Sequence, residues 1–75
     1  MRLPVLSGLE VVKILRKVGW EIARQRGSHM VMVKFFEDGK RALVVPNHRE
    51  VDTGTLIDII RQARLTREEF EKLLQ

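Results

Sequence analysis

The sequence predicts an α+β fold: a helix, a three-stranded antiparallel sheet with helices on one face, a second helix and a short C-terminal helix. Three observations predict it. Apolar residues recur at helical spacing toward both ends of the chain, the middle reads as extended apolar runs, and two glycine-containing turns divide those runs.

The first helix opens at Ser7, whose Ser-x-x-Glu spacing with Glu10 is a capping box that satisfies free amide donors. Leu9, Val12, Leu15 and Val18, with Val11 and Ile14 beside them, form its apolar stripe, and Lys13, Arg16 and Lys17 take the wetter side. Gly19 supplies a left-handed stop, so the helix covers about residues 8–18. Trp20–Arg26 and His29–Phe36 then form a hairpin around Gly27-Ser28, because glycine accepts positive φ at the first turn position. Closing that turn with Arg26 and His29 sets Arg24 opposite Val31, Ile22 opposite Val33 and Trp20 opposite Phe35, with Glu21 against Lys34. Asp38-Gly39 signals the next turn, leading to an edge strand, Arg41–Pro46, where proline is tolerated. With Glu37 opposite Lys40, Val33 pairs with Val44, Phe35 with Ala42 and Val31 with Pro46. The same register carried further brings His48 opposite His29.

Asp52-Thr53-Gly54-Thr55 opens the second helix, whose apolar side is Leu56, Ile57, Ile59, Ile60 and Ala63. Thr66 and Glu69 form the capping box of the last helix, which buries Phe70, Leu73 and Leu74. The sheet is expected to bury Trp20, Ile22, Val33, Phe35 and Val44 under the helices, with His29 on that parity but beyond their cover. Met30, Met32, Leu43 and Val45 then form the opposite face, as a satellite core or a surface for a partner chain.

Composition narrows the functions. The 75 residues leave room for a single domain, 1–75. No cysteine is present, so disulfides, thiolate nucleophiles and zinc–thiolate sites are excluded, and neither a metal nor a cofactor is expected. The N-terminus lacks a long apolar run, so the expected location is cytoplasmic, away from membranes. Net charge is +4, and the stretch from Lys13 to Arg49 holds nine Lys/Arg against three Asp/Glu. A basic middle suits a polyanion, through phosphate neutralisation and counterion release.

His29 is the candidate centre of chemistry. Its expected neighbours are Arg26 across the hairpin, Arg24 on the same face and His48 as an auxiliary on the other side. Positive charge beside an imidazole disfavours the protonated form and leaves a base available, while the same guanidiniums hold a phosphate. RNA carries its own nucleophile, the 2′-hydroxyl, so a base and cations that stabilise a phosphorane suffice without a metal. DNA lacks that hydroxyl. Ser28 in the turn and, more loosely, Lys13, Lys17 and Lys34 complete the expected RNA-binding set. The proton for the leaving 5′-oxygen has three candidate sources: His48, an arginine-bound water and bulk solvent.

Ser7-Gly8-x-Glu10-Val11-Val12-Lys13, Gly19-Trp20, Arg24-Gln25-x-Gly27-Ser28-His29, Val45-Pro46-x-His48, Gly54-Thr55-Leu56 and Ile59-Ile60-Arg61-Gln62-Ala63 through Glu69-Phe70 follow one another along the chain. In that order they resemble the HicA toxin family, over about residues 6–74. The resemblance implies a double-stranded-RNA-binding-domain-like α-β-β-β-α fold. It implies a ribosome-independent endoribonuclease, an mRNA interferase that arrests translation and is neutralised by a HicB-family antitoxin. The family's catalytic histidine, in its Gly-Ser-His motif, falls on His29; the second histidine that often follows is Met30 here. Two other readings compete: a non-catalytic RNA-binding module of the same fold, and a basic docking face for an acidic protein.

Overall fold

The computed structural model describes residues 3–74. Its elements are α1 (Gly8–Arg16), β1 (Glu21–Arg26), β2 (His29–Phe36), β3 (Gly39–Pro46), α2 (Thr53–Gln62) and α3 (Arg67–Leu73). The strands form one antiparallel sheet in the order β1-β2-β3, so the α+β arrangement expected from the periodicities is the observed one.

Local chemistry explains where the helices start. Ser7 and Glu10 exchange both bonds of a capping box, at 2.9 and 3.1 Å, and Thr66 and Glu69 do the same at 2.8 and 3.1 Å. The Asp52 carboxylate caps α2 by accepting from the Thr55 amide and hydroxyl. Their ends are less regular. α1 stops two residues before the apolar period does, because Gly19 (φ 98°) turns the chain. The Gly19 and Trp20 amides then donate back to the Arg16 and Leu15 carbonyls.

α2 ends in the same pattern, with the Arg64 and Leu65 amides donating to Arg61 and Ile60, but Arg64 itself occupies the left-handed position (φ 61°). A side chain there costs about 1–2 kcal/mol. The guanidinium offsets that cost: Asp38 binds it through both carboxylate oxygens at 3.1 and 2.8 Å, and it lies 4.4 Å from the centre of the Phe36 ring. The end of α2 is thereby fastened to the β2–β3 turn.

The sheet departs from expectation in two registers and, in consequence, in which face is covered. Next to the Gly27-Ser28 turn, Arg26 pairs with His29 and Arg24 with Val31, as expected. Beyond them a β-bulge at Ala23 shifts the pairing, so Ile22 lies opposite Met32 rather than Val33, and Glu21 opposite Val33 rather than beside Lys34; Trp20 precedes the strand and does not pair with Phe35. Side chains alternate faces along a strand, and Trp20, Ile22, Arg24 and Arg26 all share one parity. The extra residue lets the first two face inward and the last two outward.

The second turn is Glu37-Asp38, followed by Gly39 at φ 121°, not Asp38-Gly39. Phe36 therefore pairs with Gly39, Phe35 with Lys40, Val33 with Ala42 and Val31 with Val44. Pro46, not His48, stands opposite His29. The expected Val33–Val44, Phe35–Ala42 and Val31–Pro46 pairs are each displaced by two residues.

The covered face carries Met30, Met32, Leu43 and Val45, each at most 2% exposed. They pack with Trp20, with Val11, Val12, Ile14 and Leu15 of α1, with Leu56, Ile59 and Ile60 of α2, and with Phe70. The face expected to be covered is the open one: Phe35 is 76% exposed and Val44 46%. Both faces are apolar, and what decides between them is the bulge, which sends Trp20 and Ile22 to the methionine side. In the helices, Leu9 and Ile57, expected in apolar stripes, are 57% and 45% exposed.

Deleting Ala23 removes the extra residue, so either Trp20 and Ile22 turn outward or Arg24 and Arg26 turn inward. Losing the buried indole alone costs about 3–5 kcal/mol. The deletion variant is expected to lose its cooperative thermal transition by circular dichroism, whereas Ala23→Ser, which keeps the residue, retains it.

Asp38 supplies a pH dependence. Hydrogen bonds from Arg64, then Arg41, hold its carboxyl far below the usual carboxylate range. A carboxyl depressed in the folded state contributes stability above its unfolded pKa and loses it as pH falls through the folded one. Melting temperatures measured downward from about pH 4 should fall more steeply for the wild type than for Asp38→Asn. Equal slopes would show that the Asp38–Arg64 clasp contributes nothing.

Candidate functional site

Gly27, at φ 54°, makes the tight turn that brings β2 back beside β1. His29 is the first residue of β2 and closes that turn against Arg26. Arg24 lies across from Val31, two residues along the same face, and Pro46 flanks His29 on β3. Opposed residues have Cβ atoms about 5 Å apart and diagonal ones about 7–8 Å. The His29 Cβ is thus one strand spacing from that of Arg26 and a diagonal from that of Arg24. Arg24, Arg26 and His29 are all exposed, on the face that no helix covers. His29 was expected to be reachable only because the helices stop short of it; it is reachable because its whole face is open.

The rest of the expected set is dispersed. Ser28 is exposed in the turn, and its carbonyl accepts the Asn47 amide at 2.6 Å. Lys34 points to the covered side, where its Nζ donates to the Val18 carbonyl at 2.5 Å and sits 4.8 Å over the Phe36 ring. Lys17 donates to the Leu73 carbonyl at 2.6 Å, and with Lys13 it lines a groove between α1 and the Leu73-Leu74 end of the chain. None of the three lysines shares the face of His29.

His48 lies past the end of β3, exposed, with its carbonyl accepting the Gly8 amide at 2.9 Å. Gly8 is the contact that permits this approach: a Cβ there would overlap the Pro46 carbonyl oxygen and press on the Asn47 Cα. The first turn of α1 therefore rests directly on the backbone that leads out of β3.

Arg49 follows in the same loop and belongs to none of the motifs in the sequence. Most other arginines are satisfied: Arg41 and Arg64 by Asp38, Arg61 by Asp58 and Arg67 by Glu71. Among the described residues, Arg16, Arg24, Arg26 and Arg49 have neither a hydrogen-bond nor an ion-pair partner. Three of these four, Arg24, Arg26 and Arg49, lie at the end of the sheet that carries His29, and Arg16 lies at the other end. Among the described residues no three His, Cys, Asp or Glu side chains are grouped to hold a metal ion, and no helix is long and apolar enough to cross a membrane.

Comparison with protein families matches residues 8–65 to the profile described as the HicA toxin of bacterial toxin–antitoxin systems. The chain belongs to the HicA toxin family. No curated protein matches it. As a HicA-family protein it is the toxin of a toxin–antitoxin system and has an antitoxin as its partner. The matched span of this HicA-family chain contains Gly8, Arg24, Arg26, His29 and the loop after β3.

Gly8→Ala forces α1 away from Pro46 and strains the bond from position 8 to His48. Overpacking at so close a contact costs about 1–3 kcal/mol. The variant should melt at a lower temperature, and its position-8 and Asn47 amides should exchange faster than those of the wild type. Unchanged exchange at both amides would show that the contact does not hold the loop.

Proposed function

We propose that this toxin is an endoribonuclease, an mRNA interferase, in which His29 is the general base and Arg24 and Arg26 bind the scissile phosphate. The observation that carries this reading is an exposed imidazole on the open sheet face beside two unpaired guanidiniums. His29 takes the proton of a ribose 2′-hydroxyl, and the 2′-oxygen attacks the adjacent phosphorus. The bond from phosphorus to the 5′-oxygen breaks, leaving a 2′,3′-cyclic phosphate and a 5′-hydroxyl that takes its proton from water at this open site. His29 then returns its proton to solvent. The guanidiniums bond the non-bridging oxygens as charge builds on the phosphorane, and Ser28 borders the same phosphate. RNA supplies the nucleophile, so the reaction proposed is metal-independent.

Lys17 and Lys34 are engaged in holding the fold, so the phosphate-binding role falls to the arginines. The partner proposed is a HicB-family antitoxin that covers His29 and its arginines. The place of action is the cytoplasm, where mRNA is translated.

A positioned general base contributes about 10²–10⁴-fold. His29→Ala is therefore expected to lower cleavage of a single-stranded oligoribonucleotide by at least that lower figure, with no change in melting temperature because the ring is exposed. Arg24→Ala and Arg26→Ala each remove a charge-assisted bond and should cost about 10–100-fold. The assay follows 2′,3′-cyclic phosphate ends in chelator-treated protein. Cleavage by His29→Ala at the wild-type rate would end the proposal, and RNA binding without scission by the wild type would make the protein a binding module.

A further inference from the structure

The loop that leaves β3, Asn47-His48-Arg49, is held at two points against the element that carries His29. The Asn47 amide donates to the Ser28 carbonyl at 2.6 Å, inside the turn that His29 closes. The His48 carbonyl accepts from Gly8 at the start of α1, at 2.9 Å, where the close fit leaves no room for a side chain. A loop with both bonds satisfied has a fixed backbone, yet His48 and Arg49 are exposed, and Arg49 has no hydrogen-bond or ion-pair partner among the described residues. The backbone of the loop supports α1, whereas the Arg49 side chain takes part in none of the hydrogen bonds or ion pairs that hold the fold. Together with Arg24 and Arg26 on β1, the loop places cationic or donor groups on both sides of His29.

From this placement we infer that the loop is a second phosphate-holding arm: Arg49 and His48 bind the RNA phosphate next to the scissile one. The proposal rests on the reading of the His29 site as one that holds RNA. Arg24 and Arg26 grip the phosphate that reacts, on the β1 side. The arm grips its neighbour on the β3 side, so the chain crosses His29 between two anchored phosphates. Arg49 supplies charge and His48 a ring N–H donor. Both are positioning residues: they act on the occupancy and alignment of the RNA, and neither takes a proton from the 2′-hydroxyl. Glu50, next along the chain, is exposed and sets the limit of the basic patch.

The experiment measures binding apart from cleavage. In a His29→Ala background, the affinity for a fluorescent single-stranded oligoribonucleotide is measured by anisotropy across a salt series, alone and combined with Arg49→Ala, His48→Ala or Arg16→Ala. Arg16 also has no hydrogen-bond or ion-pair partner among the described residues, but it ends α1, at the far end of the sheet from the turn. Arg49→Ala is expected to weaken binding about tenfold and to lower the slope of log affinity against log salt by about 0.7. His48→Ala is expected to weaken binding less and to leave the slope alone, with His48→Gln restoring part of the loss. Arg16→Ala should change the affinity by less than about twofold. In the cutting enzyme, Arg49→Ala should raise KM and spare kcat.

Unchanged affinity and slope in Arg49→Ala would overturn the arm, as would an equal loss in Arg16→Ala, which would make the effect one of diffuse charge. Failure of the nuclease reading looks different: the wild type would not cut, while the effect of Arg49 on binding would persist.

Discussion

The exposure of His29, Arg24 and Arg26 depends on the methionine face of the sheet being the one that is covered. A strand has two faces and side chains alternate between them, so placing Met30 and Met32 under the helices obliges His29, Val31 and Val33 to face the other way. Burial of each large apolar side chain contributes about 1.5–3 kcal/mol. Met30, Met32, Leu43 and Val45 together contribute an amount comparable with the whole stability of a small domain, about 5–15 kcal/mol. The opposite face is apolar too, but covering it would leave Trp20 and Ile22, which the bulge turns toward the methionines, without a core. His29 is held outward by the cost of exposing its neighbours, with no contact of its own required.

The bulge at Ala23 makes this compatible with the sequence of β1. Without it, Trp20 and Ile22 would share a face with Arg24 and Arg26, and the strand would have to bury two guanidiniums or expose an indole. One unpaired residue separates the half of the strand that faces the core from the half that faces solvent. Bulges recur where a side chain has to be re-aimed, and here the re-aimed side chains are the two arginines beside His29.

The readable parts of the fold were those written in local chemistry. Capping boxes at Ser7 and Thr66, the stop at Gly19 and the Gly27-Ser28 turn each act within a few residues, and each is found where its spacing puts it. The pairing of Arg26 with His29 and Arg24 with Val31 follows from that turn alone. What could not be read was set by contacts distant in sequence. Val31, Val33, Phe35 and Val44 are as apolar as Met30, Met32, Leu43 and Val45, so pattern alone does not say which set is buried. A bulge leaves no mark at Ala23. The second turn moved by one residue because Gly39 takes its positive φ after the turn rather than within it, and that single step displaced His48 from the place opposite His29. Arg64 hid a helix end, since the left-handed position usually announces itself with glycine.

The distribution of partners among the cations separates two tasks. Arg64 and Arg41 converge on Asp38, Lys34 caps the end of α1, and Lys17 holds the last turn of α3. These charges tie elements together, and a polyanion would have to compete with their existing partners. Arg24 and Arg26 sit on a strand whose backbone is already paired, so their side chains are not needed to hold it. Under the proposed function, an RNA phosphate would meet guanidiniums without a protein partner there, whereas at Lys34 it would have to compete with the Val18 carbonyl. In the proposed function, Lys17 and Lys34 therefore drop out of the phosphate-binding set because they are already engaged, and Arg24 and Arg26 remain in it because they are free.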